Sequence, residues 1–370
     1  MMKSKGAKKN IKISSDIKQR RYSQPSPGAL NLNYYIKVID KNNEWKKAKI
    51  VECRLRKEYK NLPESERNSD SYSYYIHFTN TDRRMDCWVN TDRISSLDEF
   101  IGDGTEHDSE HEHEGMDASD IEKHEEATRI KTISNIKFGQ YSAETWYYSP
   151  FPDGYHDIDD MWFCEFCLNF FTSIETLKLH SEKCKMVHPP GNEIYRDYMG
   201  KKNIVMWEVD GFKSTTYCEN LSLLSKIFLD HKLVSLSITP FLYYILTEQD
   251  EYGYHVCGYF SKDKDRTPGL NLSCILMLPF HQRKGYGKYL IHFSYALSKK
   301  EKIAGTPEKP LSDLGKQTYL SYWTQEIITY IESLKGDPFS IKDIVDETMI
   351  TAEDVITALE NVNLIKKSKG

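Results

Sequence analysis

The 370-residue chain reads as a mixed α/β protein. In order it carries a small β-barrel, an acidic spacer, a zinc finger, an α/β core and a winged-helix-like end. Three observations support this. Aromatic and polar residues alternate between Tyr34 and Ile94. Four Cys and His residues stand at metal-binding spacing between Cys164 and Cys184. An apolar run ending at Pro279 leads into a basic, glycine-bearing turn and then a helical pattern. Charged residues make up 28% of the chain and the formal net charge is -5, which argues against a protein coated in nucleic acid and suits basic substrates. No apolar run is long enough to span a bilayer and the N-terminus shows no signal-peptide apolar region, so no membrane partner is expected. The eight cysteines are scattered apart from one cluster, as in a reducing compartment.

Residues 1–30 are a polar, basic tail with Lys8, Lys9, Lys18, Arg20 and Arg21, expected to be disordered. Residues 31–100 are assigned to the barrel, because Tyr35 to Ile39, Lys47 to Cys53 and Tyr72 to Phe78 alternate as strands and Trp88 and Val89 close the unit. Tyr74, Tyr75, Phe78 and Trp88 fit either an aromatic cage for a cation or ordinary barrel core. The second is preferred, since aromatic strands usually pack. Residues 101–129 are the linker: from Gly102 to Thr128 eleven Asp or Glu residues face one Lys, Lys123, beside His107, His111, His113 and His124. So little apolar surface cannot offset the ordering entropy, and disorder is expected.

The region 130–370 is taken as one domain, with its finger at 160–188. Cys164-x2-Cys167-x12-His180-x3-Cys184 places two thiols on a knuckle and sets His180 and Cys184 one turn apart on a helix. Four such donors hold one structural Zn²⁺ in a closed tetrahedron, with no open position for catalysis. Phe171 and Leu177 are the expected miniature core, and one finger covers too few base pairs to read DNA alone.

In the core, 189–335, a strand at Ile204 to Val209 precedes a helical pattern from Asn220 to Lys232, with Leu221, Leu224, Ile227 and Phe228 on one face. Further strands follow at Phe241 to Leu246 and Gly258 to Phe260. The centre of the region is Ser273 to Lys288. A strand through Ile275, Leu276 and Met277 meets the turn Gln282-Arg283-Lys284-Gly285-Tyr286-Gly287-Lys288, and Tyr289, Leu290, Phe293 and Leu297 continue at helical spacing. Free N–H groups at a helix start, with two glycines, suit a pyrophosphate. A Walker loop would need Gly at 282 and Ser or Thr at 289, where Gln and Tyr stand. A dinucleotide fingerprint would need Gly at 290, where Leu stands. Q-x-x-G-x-G after a strand is instead similar to the acetyl-coenzyme A loop of GNAT-like N-acetyltransferases. In 336–370, Ser340-x-x-Asp343 and Thr351-x-x-Asp354 read as capping boxes opening two short helices of the winged-helix-like end.

HPPGNEIYRD (188–197), NLSLLSKIFLDHK (220–232), GYFSKDKD (258–265), CILMLP (274–279), QRKGYGK (282–288) and TPEKPLSDLG (306–315), behind a C2HC finger, together resemble the MYST family of histone acetyltransferases. YYIHFTNTDRRMDCWVNTDRI (74–94) resembles the chromo barrel, or tudor knot, of the subgroup that forms the catalytic subunit of nucleosome-acetylating complexes. The resemblance implies transfer of acetyl from acetyl-CoA to histone-tail lysines, in the nucleus, alongside other complex subunits. Transcription regulation is implied, with DNA repair as a further role. It implies Glu308 as general base and Cys274 as the active-site thiol, with direct attack in a ternary complex preferred over an acetyl-cysteine route. Acetyl-CoA contacts are implied at Ile275, Leu276, Met277, Gln282 to Lys288, Ser312 and Ser321, and autoacetylation at Lys232. Methyl-lysine, RNA and nucleosomal DNA all remain open as barrel ligands. The alternative is a chromatin-binding scaffold that keeps the fold without the activity.

Overall fold

The computed structural model describes residues 27–95, 129–155, 158–199, 202–230, 232, 234, 237–265 and 269–365. The basic tail up to residue 26 and the acidic linker lie outside the described residues. The chain divides into two compact units that meet in sequence near Met116.

In the first unit β1 (Tyr35–Ile39), β2 (Trp45–Leu55), β3 (Tyr72–Phe78) and β4 (Cys87–Val89) form one antiparallel sheet in chain order. Alternation turns Ile36, Val38, Ala48, Ile50, Tyr74, Ile76 and Phe78 inward. The unit starts earlier than residue 31. Leu30 is in the core and its N–H donates to the Tyr74 hydroxyl at 3.2 Å, while the Tyr72 hydroxyl donates to the Pro27 carbonyl at 3.0 Å. Buried tyrosines need polar partners, and this segment supplies them.

The second unit begins with β5 (Ile133–Phe138), β6 (Tyr141–Glu144), β7 (Ile158–Phe163), β8 (Phe170–Phe171) and α1 (Ile174–Ser181). Then come β9 (Asn192–Met199), β10 (Lys202–Asp210), α2 (Thr215–Lys226), β11 (Phe241–Gln249), β12 (Tyr254–Asp263), β13 (Leu270–Leu272) and β14 (Ile275–Met277). It closes with α3 (Tyr286–Glu301), β15 (Thr306–Pro307), α4 (Asp313–Ser333), α5 (Ile341–Thr348) and α6 (Ala352–Asn361). The central sheet is antiparallel in the order β14-β12-β11-β10-β9. One face, with Val205, Trp207, Tyr243, Ile245 and Tyr259, packs on α2 and on the finger's sheet, whose order is β6-β5-β7-β8. The other face, with Ile204, Met206, Tyr244, Leu246 and Phe260, packs on Tyr286 and Leu290 of α3. The far side of α3, Ile291 and Tyr295, joins Tyr322 and Trp323 of α4, Ile344 of α5 and Val355 of α6. The sequence pattern marks only the first of these two buried stripes.

Four local expectations are corrected. The helix expected over 220–232 is α2, which starts and stops earlier. Lys226 is buried and its Nζ donates to the Asp230 carbonyl, so the chain turns there and Lys232 lies beyond the helix. The finger expected from residue 160 is built on a sheet that begins at Ile133, and its Phe163, Leu168 and Phe170 pack into the same core as α2. Phe171 and Leu177 are only half-buried, so they are no separate core. Ser340 and Asp343 form a full capping box, but Thr351 makes no cap bond to α6. Its hydroxyl donates to Asp354 at 3.0 Å, and Asp354 is buried against Lys309, 3.6 Å away.

Candidate active site and zinc centre

Local geometry builds the zinc centre. Leu168, at φ 62°, reverses the chain after the Cys164–Cys167 knuckle, and the Ser173 hydroxyl caps α1, which carries His180 in its last turn. Cys184 sits just past the helix, its N–H donating to the His180 carbonyl at 2.9 Å, so the two ligands do not share one helix as the spacing suggests. Cys164 and Cys184 Sγ are 4.0 Å apart, Cys167 Sγ is 3.2 Å from His180 Nε2, and all four donor atoms lie within 4.8 Å of one another. Three thiolates and one imidazole fit Zn²⁺ and fill a tetrahedron, which makes the site structural.

The candidate catalytic cluster is assembled from distant segments. Ser261 on β12 donates its N–H to the Cys274 carbonyl at 2.8 Å, and its hydroxyl accepts the Cys274 N–H at 3.2 Å. That holds Cys274, half-buried, at the head of β14. The other core thiols are inert by burial, which pushes Cys218 up to about 12 and Cys257 further. Lys232 is only 9% exposed and its Nζ is 3.9 Å from Cys274 Sγ. The parallel pair β13–β15 brings in Glu308, whose N–H donates to the Leu272 carbonyl at 2.8 Å. The Glu308 carboxyl still reaches solvent. Partial burial raises it above the ordinary glutamate value, against the Lys232 ammonium and a hydrogen bond to Ser273, which pull it down. Lys232, Cys274, Ser273 and Glu308 therefore share one neighbourhood.

Beside it, β14 runs into a 3-10 turn at Pro279–His281, and α3 starts after Gly285. Gly285 is left-handed at φ +84° and offers no capping side chain, so the first-turn N–H groups of α3 stay available to an anion. At Gly287 a Cβ would meet nothing closer than Met277 Cγ at 3.7 Å. The protein itself has room for a side chain there. Arg283 is exposed. Lys284, also exposed, donates to His281 Nδ1 at 3.0 Å, and Lys288 donates to Gln325. Gln282 braces the turn by donating to the Met277 carbonyl at 3.1 Å, and Tyr286 is buried with its hydroxyl on Glu248. Leu276 is core, whereas Ile275 and Met277 are half-buried on the α3 side. Ser312 caps α4 by accepting the Gly315 N–H at 3.1 Å, and Ser321 is exposed further along that helix. Sequence reasoning missed Ser261, Glu248 and His281. The one hint was a charge, Glu248, closing the apolar run of β11.

Comparison with known proteins places this geometry. Residues 188–370 match the MOZ/SAS family, residues 130–184 the MYST family zinc finger domain, and residues 29–96 the RNA binding activity-knot of a chromodomain. The chain is 46% identical over 320 residues to histone acetyltransferase of the MYST family 2 of Arabidopsis thaliana, covering 81% of this chain and 71% of that protein. It is 44% identical over 250 residues to histone acetyltransferase mst1 of Schizosaccharomyces pombe, covering 68% and 53%. The glycine loop fits acetyl-CoA and the Cys/His cluster fits a structural zinc. The chain belongs to the MYST family of histone acetyltransferases and is an acetyl-CoA-dependent enzyme.

Proposed function

We propose that this chain transfers acetyl from acetyl-CoA to lysine side chains of histone tails, working on chromatin in the nucleus with other subunits of an acetyltransferase complex. The carrying observation is the meeting of Glu308, Cys274 and Lys232 at the head of β14, next to the loop that suits a pyrophosphate. An attacking lysine titrates near about 10.4 when free and must lose a proton before its nitrogen can form the amide bond. Glu308, raised by partial burial yet open to solvent, is the base that takes it. The amine then attacks the thioester carbonyl, the C–S bond breaks, and the departing coenzyme A thiolate takes the second proton from nitrogen to leave as the thiol. Cys274 lines the pocket and Lys232 is the autoacetylated residue. Arg283 and the α3 N-terminus hold the diphosphate.

Incubation with labelled acetyl-CoA and separate histone tails or nucleosomes tests this, with Glu308→Gln as control. Label on a tail lysine that the variant does not transfer supports it. No transfer on either substrate, with the partner subunits supplied, would favour a scaffold role.

For the barrel, the packing favours an anionic ligand over methyl-lysine. Trp88 stacks edge-on against buried Tyr75 at 5.3 Å, and the Arg54 guanidinium sits 4.3 Å over the Trp88 ring, so a cation of the chain itself already covers that face. On the outer side, Lys37 lies opposite Lys47, and Lys47 stands 4.3 Å over Tyr35. Two lysines on one face of the sheet place positive charge where a polyanion could bind. Salt-dependent RNA binding that Lys47→Glu abolishes supports this reading, and tight binding of a methyl-lysine peptide refutes it.

A further inference from the structure

Glu248, half-buried, and His281, buried, are ionisable groups with no part in the chemistry above. Glu248 closes an apolar run on β11, its side chain is 15% exposed, and its carboxylate meets three elements. Lys202 Nζ of β10 lies at 2.6 Å, the Tyr286 hydroxyl of α3 donates at 2.7 Å, and Lys284 Nζ of the glycine loop lies at 3.7 Å. Lys284 also donates to His281 Nδ1 at 3.0 Å, so that nitrogen is an acceptor and the imidazole is neutral. Burial first, and then the Lys284 charge, push His281 down to about 4. Tyr141 of β6 packs against the same imidazole at 5.3 Å. Glu248, Cys257 and His281 also bring three donor atoms within 4.8 Å, the form of an incomplete metal site. Two ammonium groups already neutralise Glu248, however, and a metal ion would have to displace them. The group is a clamp.

We propose that Glu248 is a positioning residue for the acetyl-CoA loop. Through Tyr286 and Lys284 it grips the chain on both sides of Gly285 and so aims the first N–H groups of α3 at the diphosphate. Lys284 belongs to this clamp, and Arg283 is the loop cation left to face the ligand. The inference rests on the reading of Gln282 to Lys288 as the acetyl-CoA loop.

Calorimetric acetyl-CoA binding and steady-state kinetics of the zinc-loaded full chain test it, using Glu248→Gln, Tyr286→Phe, Lys284→Met and the double variant Glu248→Gln/Lys284→Met. Glu248→Gln is expected to raise Kd and KM for acetyl-CoA about tenfold, with kcat and the peptide KM changed less than about twofold. Tyr286→Phe, which removes one hydroxyl, is expected to give a smaller rise in the same constants at a wild-type melting temperature. Adding Lys284→Met to Glu248→Gln is expected to change the acetyl-CoA constants less than about twofold, because its carboxylate partner is already gone and only the His281 contact remains. An equal loss from Lys284→Met in both backgrounds would overturn the proposal, because Lys284 would then bind phosphate itself. So would a Glu248→Gln protein that loses kcat and both KM values together with its melting temperature. A wild-type chain that fails to bind acetyl-CoA at all would instead refute the reading of the loop.

Discussion

Cys164, Cys167, His180 and Cys184 converge within one hairpin and one short helix, whereas Lys232, Cys274 and Glu308 arrive from three separate segments. The zinc centre needs only local turns to form, so its ligand spacing is visible in sequence. The cluster proposed for catalysis exists only after β12, β14 and the β13–β15 pair have assembled. The first site should therefore fail through the fold, and the second through the chemistry.

The largest effect expected is on the zinc side. Cys164→Ser or chelation should abolish cooperative unfolding of the second unit, because Phe163, Leu168 and Phe170 lie in its core. A structural zinc contributes on the order of 10 kcal/mol, comparable with the whole stability of a domain. Far-UV circular dichroism and a thermal melt read this out, and an unaltered melt would make the finger an independent appendage.

On the pocket side, Glu308→Gln should lower kcat about 10²- to 10⁴-fold at neutral pH with the melt unchanged. Cys274→Ala should keep most of the activity. A folded but dead Cys274→Ala, with acetyl trapped on the wild-type thiol, would replace direct attack by a covalent route.

A smaller effect is a shift in pH dependence. The base must be ionised to act, so kcat falls as pH falls through the Glu308 pKa, which lies above the ordinary 4.5. The Lys232 charge holds that pKa down. Lys232→Gln, or acetylation of Lys232, should therefore move the acid limb of the kcat profile to higher pH, as pH–rate curves of the two forms would show. An unmoved limb would separate Lys232 from the base. The smallest effect belongs to Lys309→Met, which leaves buried Asp354 with only the Thr351 hydroxyl. Lys309 is half exposed, so the cost should be about 1 kcal/mol, or 2–4 °C in melting temperature.

The same contrast governs what the sequence discloses. The zinc ligands, the strand–glycine loop–helix unit and the barrel strands are local patterns of spacing and alternation, and they were legible. Glu308 was identified only by resemblance, since nothing near it in sequence marks one carboxylate among many. Its neighbour Ser273 and the Ser261 brace become functional only through cross-strand pairing. Lys232 was drawn onto a helix because its segment keeps helical spacing. α2 ends at Lys226, whose side chain donates to the Asp230 carbonyl, a contact periodicity does not record. Glu248 and His281 are far apart in sequence, and only β11 lying beneath the loop joins them.

α3 is buried against the sheet on one side and against α4, α5 and α6 on the other, while its first turn meets the acetyl-CoA loop. Occupying that first turn with ligand at 100 times Kd adds about 2.7 kcal/mol to the folded state. The gain cannot stay at one end of a helix that two cores share. It should slow proteolysis of the C-terminal helices, so the rate at which a protease cuts around Lys335 becomes a gauge of coenzyme occupancy at a site the protease never touches.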